Sequence, residues 1–145
     1  MNARNLIVRG GGFVAADALE STGNGGNIVI NVEDSVEVMG ISNINGRPSS
    51  LSVRSRSQGK AGNLTVNSPR ISVKDRGEIN AESFAADGGN ITLNTDLLLL
   101  RRGGTVSATA GIDRGEGNGG NIAINALAIA SLCSLMSNFC SIAST

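Results

Sequence analysis

One phrase recurs four times along the chain: Gly26-Asn27-Ile28-Val29-Ile30-Asn31, Gly62-Asn63-Leu64-Thr65-Val66-Asn67, Gly89-Asn90-Ile91-Thr92-Leu93-Asn94 and Gly120-Asn121-Ile122-Ala123-Ile124-Asn125. Each copy reads Gly, Asn, apolar, variable, apolar, Asn. The anchoring glycines stand 36, 27 and 31 residues apart (62−26, 89−62, 120−89). A repeat of that length cannot bury its own apolar face, so neighbours must complete the core by stacking. The chain therefore reads as a scaffold, on which any chemistry has to be mounted separately.

Each repeat divides further. A second alternating segment follows the phrase, at Val36-Glu37-Val38, Ile71-Ser72-Val73 and Leu97 to Leu100. A third follows at Leu51-Ser52-Val53, Ile79-Asn80-Ala81 and Val106-Ser107-Ala108. The offsets are steady: Ile71, Leu98 and Ile129 each fall 8 residues after their anchoring Asn, and Ile79 and Val106 fall 16 after theirs. Period-two alternation marks strands with one buried face. Three short strands per repeat predict three sides of one coil, in a stack of about four to five coils. Ile28, Leu64, Ile91 and Ile122 should form one internal ladder, and Ile30, Val66, Leu93 and Ile124 the next. Asn27, Asn63, Asn90 and Asn121 should stack at a corner, their amides bonding up and down. Asp75-Arg76-Gly77, Asp87-Gly88-Gly89 and Arg102-Gly103-Gly104 are expected to supply positive-φ corners. The first repeat is longer by 9 residues (36−27), and its excess around Ile41 to Pro48 reads as a protruding loop.

The fold class expected is all-β, a parallel β-helix with an irregular or helical carboxy-terminal tail. Residues 1–22 read as an incomplete first coil with Leu6 and Val8 inward, 23–130 as the repeats, and 131–145 as a non-repeat tail. Composition fits many small layers: the chain has no Trp, Tyr or His, three Phe and twenty Gly. Twelve basic and twelve acidic residues cancel, which gives no general attraction to nucleic acid or to an anionic membrane.

The succession GNGGN-I-x-I-N, then V-x-V, then G-x-I-x-A, then another GNGGN, resembles the repeat of filamentous-haemagglutinin-type exoproteins, and more narrowly the cyanobacterial members of that two-partner secretion class. Full GNGGN stands at Gly23 to Asn27 and at Gly117 to Asn121; the other copies read Asp87-Gly88-Gly89-Asn90 and Lys60-Ala61-Gly62-Asn63. The resemblance covers roughly residues 5–130. It implies a right-handed parallel β-helix, export through an outer-membrane β-barrel transporter, and a place at or beyond the cell surface, commonly in adhesion. A surface glycan or a host-cell ligand is the partner class it implies. Members carry a signal peptide and an amino-terminal secretion domain. Neither is visible in this sequence, so the chain reads as a piece of a larger exoprotein or the product of a broken gene.

Chemistry is sparsely signposted. Without His, Ser-His-Asp and Cys-His triads and His-ligated metals are excluded. Cys133 and Cys140 are too few for a disulfide framework or a four-ligand zinc site, though two nearby thiols could pair. Glu33-Asp34 is the only adjacent acidic pair and reads as a solvated corner; Asp87 and Asp113 read as turn residues. The nine-residue calcium-binding β-roll repeat is absent. Gly59-Lys60 lacks the rest of a phosphate loop. Arg54, Arg56, Lys60, Arg70, Lys74, Arg76, Arg101 and Arg102 form a basic stripe, read as a solvated face or a weak site for acidic polysaccharide; with no stacking aromatics, single-stranded nucleic acid is a poor fit. Asn63-Leu64-Thr65 and Asn90-Ile91-Thr92 match a glycosylation acceptor but coincide with the structural phrase. No catalytic, cofactor or metal residue is assigned, and no membrane span is expected.

In the tail, Ile129, Leu132, Leu135, Met136 and Phe139 recur at helical spacing. Ser131 to Ile142 is therefore expected to be a helical cap over an exposed solenoid end, or else an untemplated tail. Two functions remain open: a structural or adhesive surface rod, favoured, or a fragment of a carbohydrate-active β-helix enzyme, which needs converging carboxylates.

Overall fold

The computed structural model describes residues 1–18, 23–56, 58–111, 117–132 and 140–144. Among them there is no helix. The eleven strands are β1 (Asn2–Arg9), β2 (Phe13–Ala15), β3 (Ile28–Met39), β4 (Ser50–Ser55), β5 (Leu64–Asn67), β6 (Arg70–Lys74), β7 (Glu78–Ser83), β8 (Ile91–Arg101), β9 (Thr105–Thr109), β10 (Ile122–Leu132) and β11 (Ser141–Ser144). Every ladder between them is parallel. One sheet runs β1-β3-β5-β8-β10, with β6 beside β5 between β3 and β8; the second runs β2-β4-β7-β9-β11. The chain is a β-solenoid of about four turns.

The predicted ladders are in register. Ile28 pairs with Leu64, Leu64 with Ile91 and Ile91 with Ile122; Ile30, Val66, Leu93 and Ile124 follow two residues on. Leu64, Ile91, Ile30, Val66 and Leu93 are fully buried, as are Val36, Ile71 and Leu98 of the second segment and Leu51, Ile79 and Val106 of the third. Burying a side chain of this kind contributes roughly 1.5–3 kcal/mol.

Three expectations change. First, the first two segments of a coil are not separate strands. In β1, β3, β8 and β10 one strand runs through the bend; only Ser68-Pro69 breaks it, between β5 and β6, because Pro69 has no N–H to place in the ladder. The inward residue on either side of the bend shifts by three positions, Ser68 to Ile71 and Thr95 to Leu98, and by four in β3, Val32 to Val36. The extra residue falls at Glu33-Asp34. These two exposed residues therefore sit at the bend itself, on a strand bulge where Ala3–Asn5 opposes Val32–Ser35.

Second, the tail returns to the solenoid. β10 continues through Ser131 and Leu132, and β11 pairs Ile142 with Val106, so the last coil has its third strand. It stands 21 residues after Asn121 (142−121), five beyond the regular 16. Both ends of the expected helical cap are thus strand. Its centre, 133–139, lies outside the described residues, as does Asp113.

Third, the corners divide two kinds of work. Positive φ falls on Asp75 (53°), Arg76 (66°), Arg102 (45°) and Gly103 (78°), but not on Asp87-Gly88-Gly89. Glycine at the recurring anchor is needed for close approach. A Cβ on Gly89 would stand 1.8 Å from the Gly62 carbonyl oxygen, and one on Gly120 would stand 1.9 Å from that of Gly89. The Ile41–Pro48 loop does protrude. It closes on an antiparallel bridge between those two residues, with Ile44 at its tip 96% exposed.

Gly89→Ala should lower stability by at least ~3 kcal/mol, since backbone on both coils must move. Gly46→Ala, at φ 68° with open space around it, should cost only the left-handed penalty of about 1 kcal/mol. Urea midpoints compare the two; equal losses would refute the close-approach account.

Candidate interaction surfaces

The GNGGN corner is a stack of side-chain-to-backbone bonds. Asn27 Oδ1 accepts the Asn63 backbone N–H (2.8 Å), Asn63 Oδ1 that of Asn90 (3.2 Å), and Asn90 Oδ1 that of Asn121 (3.0 Å). Amide-to-amide bonding, expected here, occurs only from Asn90 to Asn63 (3.1 Å). The earlier Asn position of the phrase works alike. Asn24 Oδ1 accepts from the Lys60 backbone and Asp87 Oδ1 from the Asn118 backbone. Lys60 offers no acceptor there, and its ammonium instead meets Asp87 at 2.7 Å. Asp87 is held below its ordinary range by that bond, by the Asn118 N–H and by the Lys60 charge. Gly59-Lys60 is therefore a coil-to-coil contact, and Asn63 and Asn90 are committed to the corner.

The amide ladder lies at the other end of the phrase. Period two turns Asn31, Asn67, Asn94 and Asn125 outward, one residue after the inward apolar rung. Asn125 Nδ2 donates to Asn94 Oδ1 (2.7 Å), Asn94 to Asn67 (2.6 Å), Asn67 to Asn31 (2.7 Å) and Asn31 to Asn2 (2.9 Å). An amide has two N–H donors and two carbonyl lone pairs. The ladder consumes one of each at an interior rung and leaves the others facing outward. Because the sheet bends immediately afterwards, the row lies in a groove of about 1020 Å³ that crosses every coil level, bordered by Pro69, Asp96 and Leu127. Buried hydroxyls hold the bend: Ser68 Oγ donates to the Arg70 carbonyl, and Thr95 Oγ lies 3.1 Å from the carbonyls of both Pro69 and Leu97. The second Asn of each phrase was the available signal for this row.

Half of the basic stripe is paired with an acid one level away, Lys60 with Asp87 among them. Arg54 faces Glu82 (3.4 Å), Lys74 faces Glu37 (3.1 Å) and Arg102 grips Asp75 through two nitrogens. Glu33 meets Arg4 at 3.8 Å on the surface. Among the described residues, no group of three or more His, Cys, Asp or Glu is placed to hold a metal ion. No helix there is long and apolar enough to cross a membrane. Cys140 is disulfide-bonded; the chain's other cysteine, Cys133, lies outside the described residues.

A second concavity, of about 600 Å³, lies on the outer face of the second sheet beside the Arg47-Pro48 end of the loop. Glu78, Asn80 and Glu82 line it from β7, Ser52 and Arg54 from β4, and Phe13 from β2. Sequence reading sought adjacent acids and so missed Glu78 and Glu82, which period two places on one face. Burial pushes the Glu78 carboxyl up, and the Glu82 charge adds to the effect.

No family model, curated protein or solved structure matches the chain.

Asn67→Ala removes two ladder bonds, each worth about 1 kcal/mol net, so about 2 kcal/mol should be lost in urea unfolding. Loss no greater than for an exposed Thr65→Ala would refute the ladder's role. The two shifted carboxylates should act with opposite sign. Asp75 is lowered chiefly by its hydrogen bonds from Arg102. Its stabilisation is present above the unfolded-state pKa and lost as pH falls through the depressed folded value. Glu78 is raised, so its charged form carries a penalty that develops as pH rises from the unfolded to the folded pKa. Asp75→Asn should therefore destabilise at neutral pH and have little effect in strong acid. Glu78→Gln should stabilise at neutral pH and lose that gain in acid. Denaturation midpoints across pH check both.

Proposed function

We propose that the chain is a structural and adhesive segment of a secreted or surface-exposed exoprotein of the filamentous-haemagglutinin type, acting by display and without bond making. The observation that carries this reading is the outward asparagine row, which repeats one pair of unused hydrogen-bonding groups at every coil along an open groove. Such a row suits an extended partner, such as a surface glycan or another cell-surface chain, met at intervals of about 4.8 Å. Ile129 is 54% exposed directly over the buried Leu98, which suits a solenoid built to continue or be covered at that end. The Cys140 disulfide suits an oxidising compartment. Strand segments free of cysteine up to Leu132 suit passage of the parent, unfolded, through an outer-membrane β-barrel transporter.

The test is location together with inertness. Antibodies raised against this chain should label intact producing cells or their medium, and the purified chain should release no reducing ends or unsaturated sugars from acidic or neutral polysaccharides, with or without calcium. Labelling only after permeabilisation would remove the surface reading. Sustained sugar release would replace display with a carbohydrate-active enzyme.

A further inference from the structure

Polar groups without partners are concentrated in the cleft on the second sheet. Ser52 is 1% exposed and Asn80 3% exposed, and both line that cleft. Ser52 Oγ and Asn80 Oδ1 nevertheless have no hydrogen-bond partner in the protein, and neither does Arg54 Nε. The last lies 3.4 Å from Glu82 Oε2 without hydrogen-bond alignment. An orphaned buried polar atom costs about 1–3 kcal/mol. Two such atoms in one cleft, with the ion-paired but misaligned Arg54 Nε beside them, need a partner from outside the protein, water or ligand.

The three atoms differ in what they need. Asn80 Oδ1 requires a donor, Arg54 Nε an acceptor, and Ser52 Oγ takes either. Sugar hydroxyls, which donate and accept at once, meet all of these with a single functional group. The cleft also has an aromatic edge. Phe13 is 69% exposed and lines it, in a chain with three Phe and no other aromatic residue. The negative face of its ring attracts the weakly positive C–H face of a pyranose. Charge selects further. Arg47, Arg54 and Arg56 are matched by Asp17, Glu78 and Glu82, so the lining carries no net charge. The two carboxylates beside Asn80 oppose an anionic sugar. The cleft volume, about 600 Å³, falls within the roughly 300–1,000 Å³ of small-ligand sites.

We propose that this cleft binds a neutral sugar chain, with Phe13 as the stacking platform and Ser52, Arg54, Asn80 and Glu82 as hydroxyl partners. The proposal rests on the adhesive reading and gives it a ligand class and an address distinct from the asparagine groove.

The probes are maltohexaose, cellohexaose and mannohexaose, titrated into the full chain by calorimetry and by saturation-transfer NMR. At least one should bind with a Kd in the millimolar range or tighter. Phe13→Ala should weaken it about tenfold, a 1.4 kcal/mol change, and Glu82→Gln should weaken it several-fold. Phe13 is largely exposed and Glu82 partly so, and each variant's urea midpoint should stay near that of the parent chain, which separates lost binding from lost folding. Thr65→Ala, on an outward position that lines neither groove, should leave affinity unchanged. Binding of none of the three sugars would overturn the proposal, and so would an unaltered Kd in both cleft variants or loss of binding in Thr65→Ala. Failure here leaves intact-cell labelling unaffected, so the surface reading stands or falls on its own experiment.

Discussion

The approach of one coil's backbone to the next at the glycine corner governs the rest of the structure. Gly62, Gly89 and Gly120 each leave no room for a Cβ, because the carbonyl of the coil below occupies that place. Once the corner is seated, parallel strand spacing follows along the whole turn. Ile28 is then set over Leu64, Asn31 over Asn67 and Val36 over Ile71 without further instruction. The asparagines beside the glycines reinforce the seat, since a short side-chain carbonyl bridges to the next backbone N–H. Asp87 serves as well as Asn at one level because only the acceptor oxygen is used.

This explains how much of the architecture was legible. The inward rows are written as alternation, and alternation survives any loop inserted between strands. The Ile41–Pro48 protrusion therefore did not hide the register of β4 on β7. Bends were less legible. Whether a strand breaks or runs through depends on a single N–H, absent at Pro69 and present at Asp96 and Leu127. The tail misled for a related reason. Helical spacing within residues 129–139 drew attention from the weak Ser141-Ile142-Ala143-Ser144 segment, whose only strand signal is its match to Val106 one coil below.

The site was less legible than the fold because outward residues do not report their neighbours. Glu78 and Glu82 are four apart in sequence, and Arg54, Ser52 and Phe13 are 24, 26 and 65 residues away from Glu78. Only the register of β2, β4 and β7 gathers them. The basic stripe shows the converse. Of the eight cations that read as one patch, four are paired, because stacking also delivers Glu37, Asp75, Glu82 and Asp87 to the adjacent level.

Outward rows can therefore be sorted by whether their rungs agree. Asn2, Asn31, Asn67, Asn94 and Asn125 are identical at five levels, and identity there satisfies the scaffold as well as any partner, since each amide needs the next. On the second sheet the rows disagree: Phe13, Ser50, Glu78, Thr105 and Ser141 stand one over another, as do Ala15, Ser52, Asn80, Ser107 and Ala143. Stacking alone does not require unlike rungs. A repeat architecture tends toward sameness wherever sameness stabilises, as it does inside the coil and along the amide ladder. The cleft departs from that sameness and leaves Ser52 and Asn80 with orphaned buried atoms, a cost the solenoid could avoid with smaller or apolar residues at those two positions. Polar groups retained at such a cost are accounted for by a partner outside the chain more readily than by the fold itself.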